Sequence, residues 1–83
     1  MIKYVYAFKN VLSGQFGNPV FEVIPESDAV EAYSAAAKEA VGQDKEKMKE
    51  LDLYYLGTFD TKTCELKVAE PEFLVSLKEV LNG

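Results

Sequence analysis

The chain of 83 residues contains no histidine and no arginine, and Cys64 is its only cysteine. Histidine is the commonest general base near neutral pH and the commonest metal ligand, so its absence disfavours an enzyme or a metal centre. Arginine supplies the bidentate contacts that grip phosphates and read guanine, so a protein that reads duplex DNA is also disfavoured. One cysteine cannot form an intrachain disulfide, which agrees with a reducing compartment.

Long apolar segments are missing as well. No run approaches the ~20 apolar residues that cross a bilayer, and residues 1–6 lack a signal-peptide pattern, so we expect a cytosolic protein with no membrane contact. The charge is acidic, since nine lysines against fourteen carboxylates give −5 at pH 7. This sign disfavours non-specific nucleic-acid binding, although a local group of lysines with exposed aromatics can still hold a single strand.

The composition that remains is that of one globular domain over residues 1–83, because 48% of the residues are hydrophobic and five Tyr and five Phe are present. A chain of this size buries only roughly 60–65% of its unfolded surface on folding. The stability margin is therefore thin, and binding of a partner or of a second copy would widen it.

Two strands are predicted in the first part of the chain. Residues 2–9 alternate strictly, which predicts a strand whose inward side chains are Ile2, Tyr4, Tyr6 and Phe8. Residues 10–18 contain several turn formers and predict a loop whose Phe16 returns to the sheet. Residues 20–24, between two prolines, predict the second strand.

Two helices are predicted, one after each pair of strands. Ser27 caps the first helix, whose apolar residues recur every three or four positions until Gly42, a natural helix end. Residues 43–50 form a charged connector or a short helix. Pro71, at a first helical position, opens the last helix, whose apolar stripe runs to Leu81.

Residues 52–68 predict a β-hairpin that closes through Asp60-Thr61-Lys62-Thr63. In that register Phe59 lies opposite Cys64 on the inward side, so we interpret Cys64 as a small core residue rather than a nucleophile. The order β-β-α-β-β-α, with no internal repeat of about 20 to 50 residues, predicts an α+β fold in which a four-stranded antiparallel sheet has two helices packed on one face.

The face of the sheet that turns away from the helices is predicted to be half apolar. Its expected residues are Lys3, Val5, Ala7, Lys9, Val20, Glu22, Ile24, Tyr54, Leu56, Thr58, Glu65 and Lys67. Such a face is typical of an interface. One interpretation is self-association or a protein partner that covers Tyr54 and Leu56. Another is nucleotide stacking on Tyr54 beside Lys3, Lys9 and Lys67, and a third is an ordinary half-polar surface.

No arrangement of residues predicts a reaction. Asp52 and Asp60 bracket the third strand and lie some 26 Å apart if it is fully extended, too far for an acid and base pair. Residues 14–17 do not match a phosphate-binding loop, and Glu26 with Asp28 does not make a calcium loop. We therefore expect no enzyme, no catalytic residue, no metal site and no cofactor.

Three segments resemble a known family. Asp52-Leu53-Tyr54-Tyr55-Leu56-Gly57-Thr58-Phe59-Asp60 resembles the signature of the small nonstructural protein of microviruses, especially gokushoviruses, which are phages with single-stranded circular DNA genomes. Tyr4-Val5-Tyr6-Ala7-Phe8, with Gly14-Gln15-Phe16 and Pro19-Val20-Phe21, is similar to the opening of that family, and Asp28-Ala29-Val30-Glu31-Ala32-Tyr33 to its first helix. The chain departs from the family at Glu31, usually arginine, at Asn10, often aspartate, and at Cys64, usually glycine.

The resemblance implies a non-capsid protein that acts in the host cytoplasm in the replication or packaging of single-stranded DNA. The residues that we assign to binding are Lys3, Lys9, Tyr54, Leu56 and Lys67. A protein of a different class stays open as the alternative, namely a dimeric interaction module that recruits or blocks a phage or host protein without contacting nucleic acid.

Overall fold

A computed structural model describes the whole chain, residues 1–83. Its elements are β1 (Ile2–Asn10), β2 (Val20–Glu22), α1 (Glu26–Glu39), α2 (Gly42–Met48), β3 (Leu51–Asp60), β4 (Leu66–Ser76) and α3 (Leu77–Asn82). The strands form one antiparallel sheet in the order β2-β1-β3-β4. The predicted α+β fold is confirmed, and the short helix α2 occupies the charged connector.

The hydrophobic core lies between the sheet and the helices. Its centre consists of Tyr6 on β1, Ala29 on α1 and Leu53 on β3, none of which has exposed area. The residues that pack around this centre are Tyr4, Phe8, Val20, Ile24, Val30, Tyr33, Tyr55, Leu74 and Val75. Small side chains on α1, including buried Ala37, let that helix lie close to its neighbours. The inward side predicted for β1 is confirmed for Tyr4, Tyr6 and Phe8, whereas Ile2 at the start of the strand is exposed.

Helix ends differ from the prediction. Pro25 precedes the first residue of α1 and no side chain caps the helix, so the predicted cap at Ser27 is wrong. The helix ends at Glu39, with Ala40 as its C-cap, rather than near Gly42. At α3 the Ser76 hydroxyl accepts a hydrogen bond from the Glu79 N–H at 3.4 Å.

The last helix is much shorter than predicted, because Pro71 belongs to β4 and α3 begins only at Leu77. Glu72 and Phe73 pair with β3. Proline is tolerated there since β4 is an edge strand and the ladder is irregular between Val68 and Glu72. An edge strand therefore replaces the first turns of the predicted helix.

The hairpin between β3 and β4 has a longer turn than predicted. The Cys64 N–H donates to the Asp60 carbonyl at 2.8 Å, and the Asp60 N–H donates to the Glu65 carbonyl at 2.9 Å. Phe59 consequently pairs with Leu66. Cys64 is exposed in the turn with φ 63°, so its predicted place in the core is wrong.

A β-bulge at Leu56 reverses the alternation of β3. Tyr55 pairs with Tyr6 while Gly57 pairs with Val5, which leaves Leu56 without a partner on β1. Because one extra residue exchanges the two faces of a strand, the second half of β3 points the opposite way from the prediction. Phe59 therefore lies on the face away from the helices.

An approximate two-fold axis perpendicular to the sheet relates β1 to β3. It passes between Tyr6 and Tyr55, which pair directly and have ring centroids 5.7 Å apart. The pairs on either side obey the same symmetry: Val5–Gly57 with Ala7–Tyr54, Tyr4–Thr58 with Phe8–Leu53, and Lys3–Phe59 with Lys9–Asp52. Leu56 is the one residue of β3 without a counterpart.

The turns that follow β1 and β3 repeat the same hydrogen bonds. In the first turn the Asn10 N–H donates to the Gln15 carbonyl at 2.9 Å, and the Gly14 N–H donates to the Asn10 carbonyl at 2.8 Å. In the second turn, residues 60–65, the same two bonds also measure 2.9 and 2.8 Å. Gly14 and Cys64 occupy equivalent positions with left-handed φ values of 74° and 63°.

Each half of the chain also bonds to the turn of the other half. The Val11 N–H donates to the carbonyl of Glu50, just before β3, at 2.8 Å, and the Thr61 N–H donates to the carbonyl of Met1, just before β1, at 2.9 Å. The molecule is thus built from two related strand-turn-strand-helix halves. The expectation that the chain contains no internal repeat is wrong, since the repeat has a period of about 50 residues.

Candidate functional site

One face of the sheet has no helix of the chain packed on it, and we call it the open face. Val5 and Ala7 point to this face, since they alternate with Tyr6, which points into the core. Residues paired directly across an antiparallel sheet share a face. The open face therefore carries Lys3, Val5, Ala7 and Lys9 of β1, Phe21 of β2, Asp52, Tyr54, Gly57 and Phe59 of β3, and Leu66, Val68, Phe73 and Ser76 of β4.

Three aromatic rings at one end of the open face form what we call the first aromatic group, Phe16, Tyr54 and Phe73. The ring centroids of Phe16 and Tyr54 are 5.0 Å apart at 77°, and those of Tyr54 and Phe73 are 5.7 Å apart at 75°. These are edge-to-face contacts, the favourable arrangement for aromatic quadrupoles. Phe16 is held there by a β-bridge to Lys9 and by the adjacent Gly17 N–H, which donates to the Phe8 carbonyl at 2.8 Å.

Lys9 adds a positive charge to the first aromatic group. Its Nζ lies 5.6 Å from the centroid of the Phe16 ring and 5.9 Å from that of the Tyr54 ring. These distances fall within the range of cation–π attraction, which is about 0.5–1 kcal/mol at exposed sites. The ammonium group is therefore placed beside the rings.

A second aromatic group, Phe21 and Phe59, lies toward the other end of the open face. Their centroids are 5.6 Å apart at 75°, again edge to face. Lys3 pairs directly with Phe59 and thus shares its face. Each aromatic group therefore has one lysine close to it.

The strand residues beneath the aromatic rings are buried, whereas the rings themselves are partly exposed to solvent. Val5 and Ala7 are buried although no helix covers them, and their neighbours on this face are Phe21 and Tyr54. Phe16, Phe21 and Phe73 keep 42%, 43% and 51% of their surface exposed. Exposed apolar rings on a rigid strand floor are typical of a surface that binds another molecule.

The charge of the open face is opposite in sign to that of the chain. Among strand residues whose direction the register fixes, only Lys3, Lys9 and Asp52 are charged on this face, and Asp52 lies opposite Lys9 in the strand register. Glu22 and Glu72 point to the helix face, since they pair with Tyr4 and Tyr55. The net charge of −5 is thus carried elsewhere.

The structure brings together three of the five residues predicted for binding. Lys3, Lys9 and Tyr54 lie on the open face as predicted. Leu56 is half-buried at the β-bulge. Lys67 pairs with Thr58 and so lies on the helix face, where its Nζ is 3.8 Å from a carboxylate oxygen of Glu65, and its predicted place beside Lys3 and Lys9 is wrong.

Other residues predicted for the same surface also turn inward. Val20 and Ile24 pack against the core, and Glu22 accepts a hydrogen bond from the Tyr33 hydroxyl at 3.0 Å. The aromatic residues that the prediction missed on the open face are Phe16, Phe21, Phe59 and Phe73. The recurring Pro-x-Phe triplets at Phe21 and Phe73 were a signal that could have found two of them.

The ionisable groups with altered pKa values lie on the helix side. Burial is the main cause that raises the pKa of Tyr6 and of Tyr33 to about 12. The Tyr6 hydroxyl donates to the Ile24 carbonyl at 2.8 Å. A hydrogen bond with the Glu72 carboxyl, together with burial, raises the pKa of Glu26.

The surface holds no pocket, and no three His, Cys, Asp or Glu side chains are arranged to hold a metal ion. No helix is both long and apolar enough to span a membrane. The open face is consequently the candidate binding surface of this molecule.

Comparison with known proteins gives one match. The sequence model of the family described as Phage ORF5 protein matches residues 3–80, which include both aromatic groups and both lysines of the open face. Neither the curated proteins nor the solved structures yield a significant match. The predicted resemblance to a phage protein family is thereby confirmed.

Proposed function

Because the chain belongs to the Phage ORF5 protein family, we propose that it is a non-enzymatic phage protein of the microvirus, gokushovirus-like type that binds single-stranded DNA on the open face. It acts in the host cytoplasm during genome replication or packaging. The observation that carries the proposal is the pairing of each aromatic group with a lysine on a sheet face that is free of helices.

Base stacking supplies the apolar part of such binding. Unpaired bases present flat faces that stack on aromatic side chains, each contributing about 1–3 kcal/mol with little dependence on sequence. Phe16, Phe21 and Phe73 offer partly exposed rings for this purpose. Duplex DNA hides its base faces, so the open face favours single strands.

Electrostatics supplies the second part. Phosphates attract Lys3 and Lys9, while the carboxylates on the rest of the chain repel DNA. The strand is therefore guided to the one face whose fixed charges are mainly positive. Two lysines give weak binding that depends on salt, as suits a protein that must release DNA during packaging.

A pair of lysine substitutions tests the proposal. Fluorescence anisotropy of a labelled single-stranded oligonucleotide is measured at low and high salt with wild type, Lys9→Gln and Lys67→Gln. Wild type should bind at low salt, and Lys9→Gln should bind several-fold more weakly, with a slope of log affinity against log salt smaller by about 0.7.

Lys67→Gln is the matched control, since it removes the same charge from the helix face and should leave affinity and slope unchanged. Absence of wild-type binding at low salt would contradict DNA binding. Equal losses in the two variants would place the DNA on another surface.

The alternative, a dimeric module that binds protein, is favoured by the apolar area of the same region. Leu66, Val68 and Phe73 of edge strand β4 are all more than half exposed and share the open face. The solution mass of wild type and of Phe73→Ser separates the two functions. A dimer that dissociates in Phe73→Ser, without any DNA binding by wild type, would support the module.

A further inference from the structure

Phe21 and Phe73, one from each aromatic group, are related by the internal two-fold axis of the sheet. Phe21 pairs with Val5, and Phe73 pairs with Tyr54, which is the residue equivalent to Val5. The two phenylalanines therefore stand at equivalent places on the outer strands β2 and β4. Each sits in a Pro-x-Phe triplet, one starting at Pro19 and one at Pro71.

The inner members of the groups follow the same symmetry with different side chains. Phe16 lies opposite Lys9, and Leu66 lies opposite Phe59, the residue equivalent to Lys9. In the first half of the chain the ring, Phe16, is on the loop and the cation, Lys9, is on the strand. In the second half the ring, Phe59, is on the strand. Both halves present aromatic surface at matching distances from the axis.

The spacing of the two groups suits one strand of nucleic acid. On the floor of the open face Tyr54 lies opposite Ala7 and Phe59 lies opposite Lys3, four residues apart on β1. At 3.3 Å per residue Tyr54 and Phe59 are about 13 Å apart along the strands. Val5 and Ala7, the β1 residues beside Phe21 and Tyr54, are small and buried. A chain of nucleotides can therefore reach both groups without an obstruction.

We propose that the open face contains two base-stacking subsites, one on Phe16, Tyr54 and Phe73 with Lys9, and one on Phe21 and Phe59 with Lys3, and that one DNA strand occupies both. This inference rests on the proposed function. It adds that the site spans both aromatic groups and that a DNA strand can bind in either 5′-to-3′ direction. The two-fold axis exchanges Phe21 and Phe73, one ring of each subsite, with the direction reversed. A DNA strand therefore meets the first of these two rings in the same orientation whichever way it lies.

Two phenylalanine substitutions with matched exposure test the two subsites. Phe16→Ala and Phe21→Ala each remove one ring, and the rings are 42% and 43% exposed. With an oligothymidylate of about eight nucleotides, each variant should bind about 5- to 150-fold more weakly than wild type. The losses should multiply in the double variant, because one strand uses both rings.

Several controls keep the outcomes distinct. Leu12→Ala alters an exposed apolar residue in the first turn, outside both aromatic groups, and should bind like wild type. Phe16→Leu and Phe21→Leu retain apolar packing and serve if an alanine variant does not fold. Loss of affinity in only one of the two single variants overturns the two-subsite inference, whereas failure of wild type to bind overturns the proposed function itself.

Cys64 provides the means to test polarity, since it is the only cysteine and is exposed in the turn at one end of the sheet. A donor dye is attached there, and the oligonucleotide carries the acceptor at its 5′ or its 3′ end. Equal energy transfer from the two oligonucleotides is the expected result. A clear difference in energy transfer between the two oligonucleotides would show that the DNA strand binds in one direction only, which overturns this part of the inference.

Discussion

Ala7 and Gly57 are equivalent residues on the two central strands, but only Ala7 has room for a side chain. A Cβ atom on Gly57 would lie 2.9 Å from the carbonyl carbon of Lys67 and 3.1 Å from the Cα of Val68. Gly57 also has φ 157°, which L-residues rarely adopt. Its hydrogen atom thus lets the backbone of β4 approach β3 beside the bulge.

Gly57→Ala should therefore destabilise the protein by about 3 kcal/mol, because the backbone of β4 must move. Ala7→Gly makes the reverse change at the equivalent position and should cost about 1 kcal/mol, the usual penalty of glycine in a strand. Urea unfolding followed by circular dichroism measures both. A smaller loss for Gly57→Ala than for Ala7→Gly would contradict the close approach.

Cys64 should be a weak point of the second turn, since a residue with a Cβ atom is strained at φ 63°. Cys64→Gly should stabilise the protein by about 0.5 to 1 kcal/mol. At the equivalent position Gly14→Ala should destabilise it by a similar amount. Urea midpoints under reducing conditions provide the measurement, and a less stable Cys64→Gly would show that the turn carries no strain.

Stability should fall at alkaline pH. Burial raises the pKa of Tyr6 and Tyr33 from 10.0 to about 12, so the unfolded chain loses its phenolic protons first. The contribution of these groups is complete below pH 10 and is lost as the pH rises through 12.

Urea midpoints near neutral pH and at about pH 11, with tyrosinate absorbance recorded in parallel, should show this loss. Tyr33→Phe removes one of the two groups and should flatten the alkaline decline. Tyr54→Phe is the control, since Tyr54 lies on the open face. An alkaline decline that Tyr33→Phe leaves unchanged would contradict the assignment.

The Glu26 and Glu72 carboxyls should oppose folding at neutral pH. Their hydrogen bond raises the pKa of Glu26 above 4.5, which means that just above pH 4.5 the folded state still holds a proton that the unfolded state has released. Stability from this pair is present at pH below 4.5 and is lost as the pH rises.

Glu72→Gln replaces one charge by an amide that can donate to the Glu26 carboxylate. It should raise the urea midpoint at neutral pH, and the gain should vanish in acid. Glu70→Gln, which removes a charge from the same strand, controls for the change in net charge. An equal gain in the two variants would point to overall charge rather than to the pair.

The periodicity of β1 predicts its inward residues correctly, since no residue of this strand is extra. On β3 the same reasoning fails after Leu56, because a bulge residue looks like any other apolar residue in the sequence. Its effect is large, since every later side chain changes face, and Phe59 moves to the open face. The same bulge moves Lys67 to the helix face, because Lys67 pairs with Thr58, whereas the six-residue turn shifts the register by two positions and keeps the face.

Pro71 shows why the last helix is overestimated. Proline followed by glutamate fits a first helical turn and fits an edge strand equally well. Phe73 pairs with Tyr54, a residue distant in the sequence, and this contact stabilises the strand rather than the helix. The repeated turn leaves a trace in the sequence, namely Asn10 and Asp60 at its start and Ser13 and Thr63 three residues later. The strands before the two turns share too few side chains for the repeat to be recognised from the sequence.

The reciprocal bonds of Met1 and Glu50 have a consequence for how this protein folds. Each half can form its own hairpin quickly, yet its first strand, β1 or β3, then keeps one edge unpaired until the other half arrives from about 50 positions away. Neither half is therefore a folding unit, and a fragment ending before Leu51 should remain disordered. Assembly of the whole chain should be a single cooperative event whose rate is limited by the meeting of β1 and β3.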